Sequence, residues 1–446
     1  MQGNTLKEQV NLIREVFAYI SRFKDNRFVI KIDYDIIDHP SLPSLMKDLA
    51  ILHRNGIRLV LVAGARQRID DVLERYGISR DMSGGTRISP PEAMPFIQMA
   101  AFDAANKVMT HLSGSSINAI IGNWVKARSM GVQQGIDFQH TGSVDRIKLN
   151  LINRLLEENF IPILPCIGWN STGAPYNVSS NELAVRLAEE LGADKIFFVS
   201  GLPKITKSRY RLSQDIPMGD TDVLFRMSVS EAEMFLEQNG PDVSSDPVLS
   251  AVDYGLQACR GGVKRAHIVD GTEDGVILKE VFSNIGSGTM IYTNEYEVIR
   301  PMNLDDIPAV LRIMRPFIDQ NVLVNRNAAD LERFQADFVV YEVDGTIHGC
   351  GALHRYPGST AEISAVAVDN AFAHLGIGNR IVSYLIQEAR KSGIQKLFLL
   401  TTQSTDWFYR LGFKLGEITD LPEARMENYD KSRNSRIMTF DISNKE

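Results

Sequence analysis

The spacing of apolar and polar positions predicts most of the elements before any residue is given a role. Apolar runs of strand length recur at residues 28–32 (F-V-I-K-I), 58–63 (R-L-V-L-V-A), 119–122, 161–165, 195–200 (K-I-F-F-V-S) and 265–269, with 286–291 as a short closing strand. Between them, helical periodicity marks residues 43–55, 64–76, 91–112, 145–158, 180–191, 228–239, 246–260 and 274–282. Nearly continuous apolar strands alternating with helices at short spacing predict an α/β domain: a mainly parallel sheet covered on both faces. A further helix over residues 5–23 carries Val10, Ile13, Val16, Phe17 and Ile20 at helical spacing.

After residue 293 the rhythm changes. Residues 296–300 read as a strand and 304–314 as a helix, and strands 338–343 and 349–354 pair across Asp344-Gly345, a hairpin signal. Residues 362–368 form a strand with Ile363, Val366 and Val368 apolar, broken by Asp369-Asn370. Gly376-Ile377-Gly378 then opens a helix with Ile381, Val382, Leu385, Ile386 and Ala389 on one face and Gly393 past its end. Residues 396–401 follow as a buried strand. Two domains are expected, over residues 1–294 and 295–446, the second of mixed α+β type, with no Pro/Ser-rich linker between them.

Composition narrows the function classes. A chain of 446 residues is too long for one ordinary domain. Its 44% hydrophobic and 23% charged content fits a soluble globular protein. A net charge of −7 argues against nucleic acid or an acidic membrane surface as partner. No apolar run approaches the ~18 residues of a membrane span, and the first ten residues lack the apolar core of a signal peptide. A cytoplasmic protein is expected. Cys166, Cys259 and Cys350 lie far apart among apolar or small residues, and the eight histidines show no ligand spacing, so reduced thiols and no metal site are expected.

A strand, a glycine turn and a fresh helix N-terminus together make an anion site, because unpaired first-turn amides carry partial positive charge. Here that loop is followed by a strand and an aromatic turn ending Leu411-Gly412-Phe413. This order resembles the acyl-CoA core of the GNAT N-acetyltransferases. The resemblance implies acetyl-CoA as co-substrate. Its pyrophosphate would lie on His374, Leu375, Gly376, Ile377, Gly378, Asn379 and Arg380, and its thioester by the Val366, Ala367 and Val368 backbone between two splayed parallel strands. Ala373 stands where that superfamily carries Gln or Arg.

The first half resembles the amino acid kinase fold, and within it the acetylglutamate kinases. Lys31 ends the first strand, Gly85-Thr86-Arg87-Ile88-Ser89 resembles the acetylglutamate-binding segment, and Tyr176-Asn177-Val178 matches a further motif. Residues 262–271 (G-V-K-R-A-H-I-V-D-G) and Gly286-Ser287-Gly288-Thr289, after Glu280 and Phe282, are close matches. The departures all touch phosphate chemistry. Backbone amides cradle phosphoryl oxygens only where glycine lets them approach. Here Asp33-Tyr34 replaces Gly-Gly, and Ala63-Gly64-Ala65-Arg66 replaces H-G-G-G. Asn181 takes the place of the family's catalytic Asp, and no lysine occurs between Lys207 and Lys264. A carboxylate beside a triphosphate is repulsive, so a kinase-inactive domain is expected. Arginine-controlled members of that family carry an N-terminal P-Y-I-x-x-F helix, and residues 18–23 read A-Y-I-S-R-F. By this resemblance Tyr19, His267, Asp270, Glu280, Phe282, Gly286 and Gly288 form an allosteric L-arginine site, with Glu280 as the carboxylate for the guanidinium. Interlaced N-terminal helices imply a homo-oligomer, a hexamer favoured.

Both halves together resemble the N-acetylglutamate synthases across nearly the whole chain. Ile313-Met314-Arg315-Pro316, Leu323-Val324-Asn325-Arg326, residues 396–402 with Trp407-Phe408, Leu421-Pro422-Glu423 and Arg433-Asn434-Ser435 carry the match. The resemblance implies acetyl transfer from acetyl-CoA to the α-amine of L-glutamate in a ternary complex. That reaction opens arginine biosynthesis and is inhibited by L-arginine. Arg315 and Arg433 would hold the carboxylates, with Thr401 hydrogen-bonding nearby. Glu362 is the candidate base, directly or through water. A backbone N–H near residues 366–368 would meet the oxyanion, and Tyr409 would protonate the leaving thiolate. The alternatives are a non-catalytic ligand sensor, an acetyltransferase for another amine, and a bifunctional kinase–synthase.

Overall fold

The sheet of the first half is built around the strand Arg27–Ile32, whose last five residues are buried. In the computed structural model, which describes residues 23–212, 222–240, 246–282, 286–293, 297–343, 345–370, 372 and 376–442, the chain divides into two compact units between Thr293 and Asn294. The predicted helix over residues 5–23, Phe23 excepted, lies outside the described residues, and with it Tyr19. Ala373, His374 and Leu375 lie outside them as well.

The first unit holds an eight-stranded sheet in the order Arg226–Ser228, Thr289–Tyr292, Arg265–Asp270, Lys195–Ser200, Arg27–Ile32, Arg58–Ala63, Ile161–Pro165, Ala119–Ile121. Every pairing is parallel except that between Arg265–Asp270 and Thr289–Tyr292. Lys31 sits between Val62 and Phe198 in register, so the sheet delivers it to the end of the central strand. The helix Met94–Gly114 buries Ala100, Ala101, Ala104, Ala105, Val108 and Leu112. Those three- and four-residue steps of mostly small side chains suit close packing on a sheet.

One expectation fails here. The helix expected over residues 145–158 is the end of a strand, Thr141–Ile147, followed by a shorter helix, Leu149–Glu157. The strand belongs to a closed four-stranded barrel with Ile167–Trp169, Pro175–Val178 and Val125–Ser129. Its register shifts opposite Lys126 and Ala127, so that Val144 faces Ala127 and Ile147 faces Val125. The bulge leaves one residue of the strand unpaired, so two core positions fall three apart, as on a helix.

At the edge of the unit, Gly288 packs against backbone. A Cβ there would lie 2.1 Å from the Ile268 carbonyl oxygen and 2.9 Å from Val269 Cγ1. Gly288→Ala is therefore expected to destabilise this unit by about 1–3 kcal/mol, read as a lower thermal unfolding midpoint. An unchanged midpoint would mean the strand end moves freely.

The second unit is a seven-stranded sheet: Glu297–Pro301, Phe338–Val343, Thr346–Tyr356, Thr360–Val368, Lys396–Thr401, Arg436–Asp441, Lys414–Leu415. Only Thr360–Val368 and Lys396–Thr401 run parallel, and they pair only through Thr360↔Lys396, Ala361↔Leu397 and Glu362↔Phe398. Beyond Glu362 they part. On its other edge, Thr360–Val368 pairs Ala367 with Cys350 and Ser364 with Ala352, which leaves one residue over. Ala365, with φ 52°, lies within that bulge. The helix Ile377–Lys391 covers one face through Ile377, Ile381, Val382, Leu385 and Ala389. On the other, Val310, Ile313 and Met314 of the helix Ile307–Asp319 pack with Cys350, Ala352, Ala365 and Ala367.

All three cysteines are buried. Burial pushes the Cys166 thiol up to about 11 and those of Cys259 and Cys350 up to about 12. Among the described residues no helix is long and apolar enough to cross a membrane.

Candidate active site

Glu362 is the last residue of the central strand to pair before the two parallel strands part, and it is buried. Its carboxylate is held on both oxygens. Arg425 Nε–H donates to Oε2 at 2.9 Å and Nη2–H to Oε1 at 3.2 Å, a bidentate pair. The Tyr356 hydroxyl donates to Oε2 at 3.1 Å. Burial and the Glu362 charge push that hydroxyl up to about 12, so it stays a donor. The short helix Glu423–Met426, anchored by buried Leu421, brings Arg425 into place.

Directly across from Glu362 stands His354 of Thr346–Tyr356, and Ser364 lies two residues further along the central strand. The three therefore share a sheet face. His354 Nδ1 is 2.7 Å from Asp337 Oδ2. Arg326 reaches the same face from the loop before the helix Ala328–Arg333. Its Nη2–H donates to Ser364 Oγ at 3.2 Å and lies 3.5 Å from His354 Nε2. Burial lowers the Arg326 guanidinium below its usual value, with the Glu362 charge acting the other way. Among the described residues no carboxylate lies within ion-pair distance of Arg326, which instead sits over the Phe338 ring, 5.4 Å from its centre.

The other predicted residues are spread around this face. Arg315 is 71% exposed on Ile307–Asp319 and pairs with Asp319, one turn on, at 3.0 Å. Arg433 donates from Nη2 to the carbonyls of Asn321 (3.0 Å) and Val322 (3.2 Å), just past that helix. Thr401 ends the parallel strand, buried, and its Oγ1 accepts the Ser404 N–H at 3.0 Å. Tyr409 is 43% exposed on the helix Thr405–Arg410. Val366, Ala367 and Val368 follow the bulge, and no strand among the described residues covers their edge on the side of Lys396–Thr401.

Gly376, at φ 70°, begins the helix Ile377–Lys391 without a side-chain cap. Its first amides are therefore not claimed by a capping residue, which suits them to an anion. The aromatic turn braces this loop. Trp407 Nε1–H donates to Asn379 Oδ1 at 2.8 Å, and a Cβ at Gly378 would lie 3.1 Å from Trp407 Cζ2. Arg380 continues the first turn of the helix.

In the first unit, His267 and Glu280 form a buried pair with Nδ1 and Oε1 at 2.8 Å. Burial pushes the imidazole down to about 4, so the neutral ring donates its Nδ1–H. Glu280 Oε2 accepts the backbone N–H of Ser287 (2.7 Å) and Gly288 (3.1 Å). Burial acts to raise this carboxyl, and the His267 contact and the two amides outweigh it, leaving it below its usual value. Phe197 stacks on His267 with ring centres 4.5 Å apart. Asp270 accepts the Thr272 N–H at 2.9 Å, and Phe282 ends the helix Val276–Phe282 that carries Glu280. Where a kinase would hold phosphate, Lys31 is ion-paired with Asp33. Asp33 Oδ1 would lie 2.9 Å from a Cβ on Gly64, and Asp35 Oδ2 accepts the Gly201 N–H at 2.8 Å.

The amino acid kinase family matches residues 26–270, and the acetyltransferase (GNAT) family residues 308–413. An amino-acid acetyltransferase of Pseudomonas putida is 32% identical, and that of Pseudomonas fluorescens SBW25 33%, each alignment covering 97% of this chain and 99% of the relative. The chain belongs to the amino-acid acetyltransferase family. N-acetylglutamate synthase from Neisseria gonorrhoeae, solved with coenzyme A and L-arginine, superposes with a TM-score of 0.79 at 27% identity, covering 97% of this chain and 99% of that one. With coenzyme A and N-acetyl-glutamate bound, the same enzyme gives 0.60 at 29% identity over the same shares. This amino-acid acetyltransferase thus joins an amino acid kinase fold to a GNAT fold and uses acetyl-CoA as co-substrate.

Sequence reasoning did not assign Arg326, Arg425, Tyr356, His354 or Asp337 to the acetyltransferase site. Arg326 ends one of the family motifs, and Arg425 lies two residues past another. Their side-chain directions are set by the fold.

Proposed function

We propose that the acceptor is L-glutamate, that the product is N-acetyl-L-glutamate, and that L-arginine inhibits the transfer. The observation that carries this reading is a half-buried guanidinium, Arg326, near Glu362, with no carboxylate of its own among the described residues. A dicarboxylic substrate supplies the missing anion. Arg433, held by two carbonyls, takes the second carboxylate, and Arg315 adds a further cation on the helix leading to those carbonyls. The related synthase solved with N-acetyl-glutamate supports the choice.

The substrate ammonium must lose a proton before it can attack. Glu362, held in place by Arg425 and Tyr356, takes it directly or through water. The amine then attacks the thioester, and the oxyanion is met by backbone N–H near Val366–Val368. Collapse expels the coenzyme A thiolate, with Tyr409 the candidate proton donor and Thr401 positioning the acceptor. No acyl-enzyme is formed. In the first unit, Glu280, with His267, Asp270, Phe282, Gly286 and Gly288, receives the arginine guanidinium. Asp33 occupies the phosphate loop, and we infer that this unit transfers no phosphoryl group. A cytoplasmic hexamer opening arginine biosynthesis completes the reading, its assembly checked by sedimentation.

The test is release of free thiol from acetyl-CoA with L-glutamate, L-aspartate, L-glutamine or a lysine peptide, each with and without L-arginine. Turnover with glutamate that arginine suppresses is the expected result. Turnover that arginine leaves untouched removes the regulatory site, and no turnover with glutamate removes the substrate assignment. Glu280→Gln is expected to raise the arginine concentration for half-suppression by about tenfold or more, since a charge-assisted bond to the guanidinium is lost.

A further inference from the structure

Glu362 and Asp330 act on Arg326 as neighbouring charges and Asp337 lies across the His354 ring from it, yet none of the three pairs with it; Asp330 accepts the Asn327 N–H that caps its own helix. Glu362 is occupied by Arg425 and Tyr356. Asp337 is occupied by His354, whose Nδ1 lies 2.7 Å from Oδ2. In the tautomer that donates Nδ1–H to Asp337, Nε2 carries a lone pair, and this is the atom 3.5 Å from Arg326 Nη2. The imidazole therefore stands between an acid and a guanidinium that would otherwise attract each other. Phe334 and Phe338 hold the ring edge-on, at 5.6 Å and 6.2 Å between ring centres.

We propose that His354 is a positioning residue for the acetyl-transfer reaction: by holding Asp337 away from Arg326, it leaves the guanidinium open to the substrate carboxylate. The inference rests on the reading of Arg326 as a carboxylate anchor, and it assigns to His354 and Asp337 a role in acceptor affinity. An ion pair between Asp337 and Arg326 would compete with the substrate for the same N–H groups, because a carboxylate in the protein and one on the ligand ask for the same fork geometry. The ring nitrogen facing Arg326 brings no carboxylate to that place and so does not compete with one on the ligand. The arrangement acts on binding and not on the chemical step, so its loss moves KM for the amino acid and spares kcat.

The test is a double-mutant cycle with KM for the amino acid that the wild-type enzyme accepts as its readout. His354→Phe keeps an aromatic ring between Phe334 and Phe338 but has no nitrogen, so Asp337 loses the partner that holds it on the far side of the ring from Arg326. The expected result is a rise in KM for the amino acid of about tenfold, with KM for acetyl-CoA and kcat little changed. Adding Asp337→Asn removes the competing charge, and the double variant is expected to recover most of the lost affinity. If His354→Phe leaves KM unchanged, or the double variant is no better than the single one, the inference is overturned. The thermal unfolding midpoint is measured alongside. A rise in KM that tracks a fall in midpoint and is not rescued by Asp337→Asn assigns His354 to packing alone and likewise overturns it. A failure of the glutamate assignment shows in the wild-type enzyme, before any variant is made.

Discussion

Glu362→Gln lowers kcat for acetyl transfer by about 10²–10⁴-fold, the usual contribution of a positioned general base. Gln keeps the shape and can still accept from Arg425, so the change removes charge and basicity while filling the same space. Two effects have to be separated. The variant leaves Arg425 without its counter-charge, which lowers stability, and it leaves the substrate ammonium without a proton acceptor, which lowers rate. The pH dependence distinguishes them. Without the base only the substrate already deprotonated in solution reacts, so log kcat/KM rises by about one per pH unit below the amine's own pKa. A uniform loss at every pH, or no loss, assigns Glu362 to structure alone and passes the base to solvent.

Arg326→Gln is expected to raise KM for glutamate by about 10²-fold or more, in line with the ~2–5 kcal/mol lost when one partner of a buried charge pair is truncated. The reason is the missing partner: among the described residues Arg326 has a hydrogen bond to Ser364 and contact with His354, but no carboxylate. Arg315 provides the contrast. It is exposed and already paired with Asp319, and such surface pairs contribute about 0–1 kcal/mol. Arg315→Gln should therefore shift KM far less. If Arg315→Gln has the larger effect, the carboxylates lie on the outer face of the helix Ile307–Asp319 and Arg326 is a packing residue. Comparing glutamate with glutamine in Arg326→Gln also shows which end of the substrate it holds, because loss of discrimination means the side-chain carboxylate.

Most strands of the large sheet were legible because parallel strands buried on both faces read as apolar runs, and their covering helices keep a clean period, whereas the short strands Val125–Ser129, Ile167–Trp169, Pro175–Val178 and Arg226–Ser228 went unread. The barrel strand Thr141–Ile147 escaped because its bulge puts Val144 and Ile147 three apart, which imitates a helix. The glycine turn Gly376-Ile377-Gly378 was legible as a helix start only together with the strand and aromatic turn that follow it, and the Trp407–Asn379 bond that braces it was not legible, since the two residues lie 28 apart in sequence. Glu362 was legible as a strand-end acid. Its partners were not: Tyr356 arrives across a hairpin and Arg425 from 63 residues away. The exposure of Arg315 could also be read from the sequence. The helix Ile307–Asp319 buries Val310, Ile313 and Met314, and a residue one step past Met314 turns away from that face.

The buried cysteines bear on how this enzyme is measured. A chromogenic disulfide reagent reacts with thiolates, and Cys166, Cys259 and Cys350 offer it neither exposure nor ionisation. Colour that develops during turnover therefore reports coenzyme A against a silent protein background. The same reagent added with denaturant should titrate three equivalents per chain. Two of the three lie in the first unit and one in the second, so their rates of appearance time the opening of each unit without an engineered label.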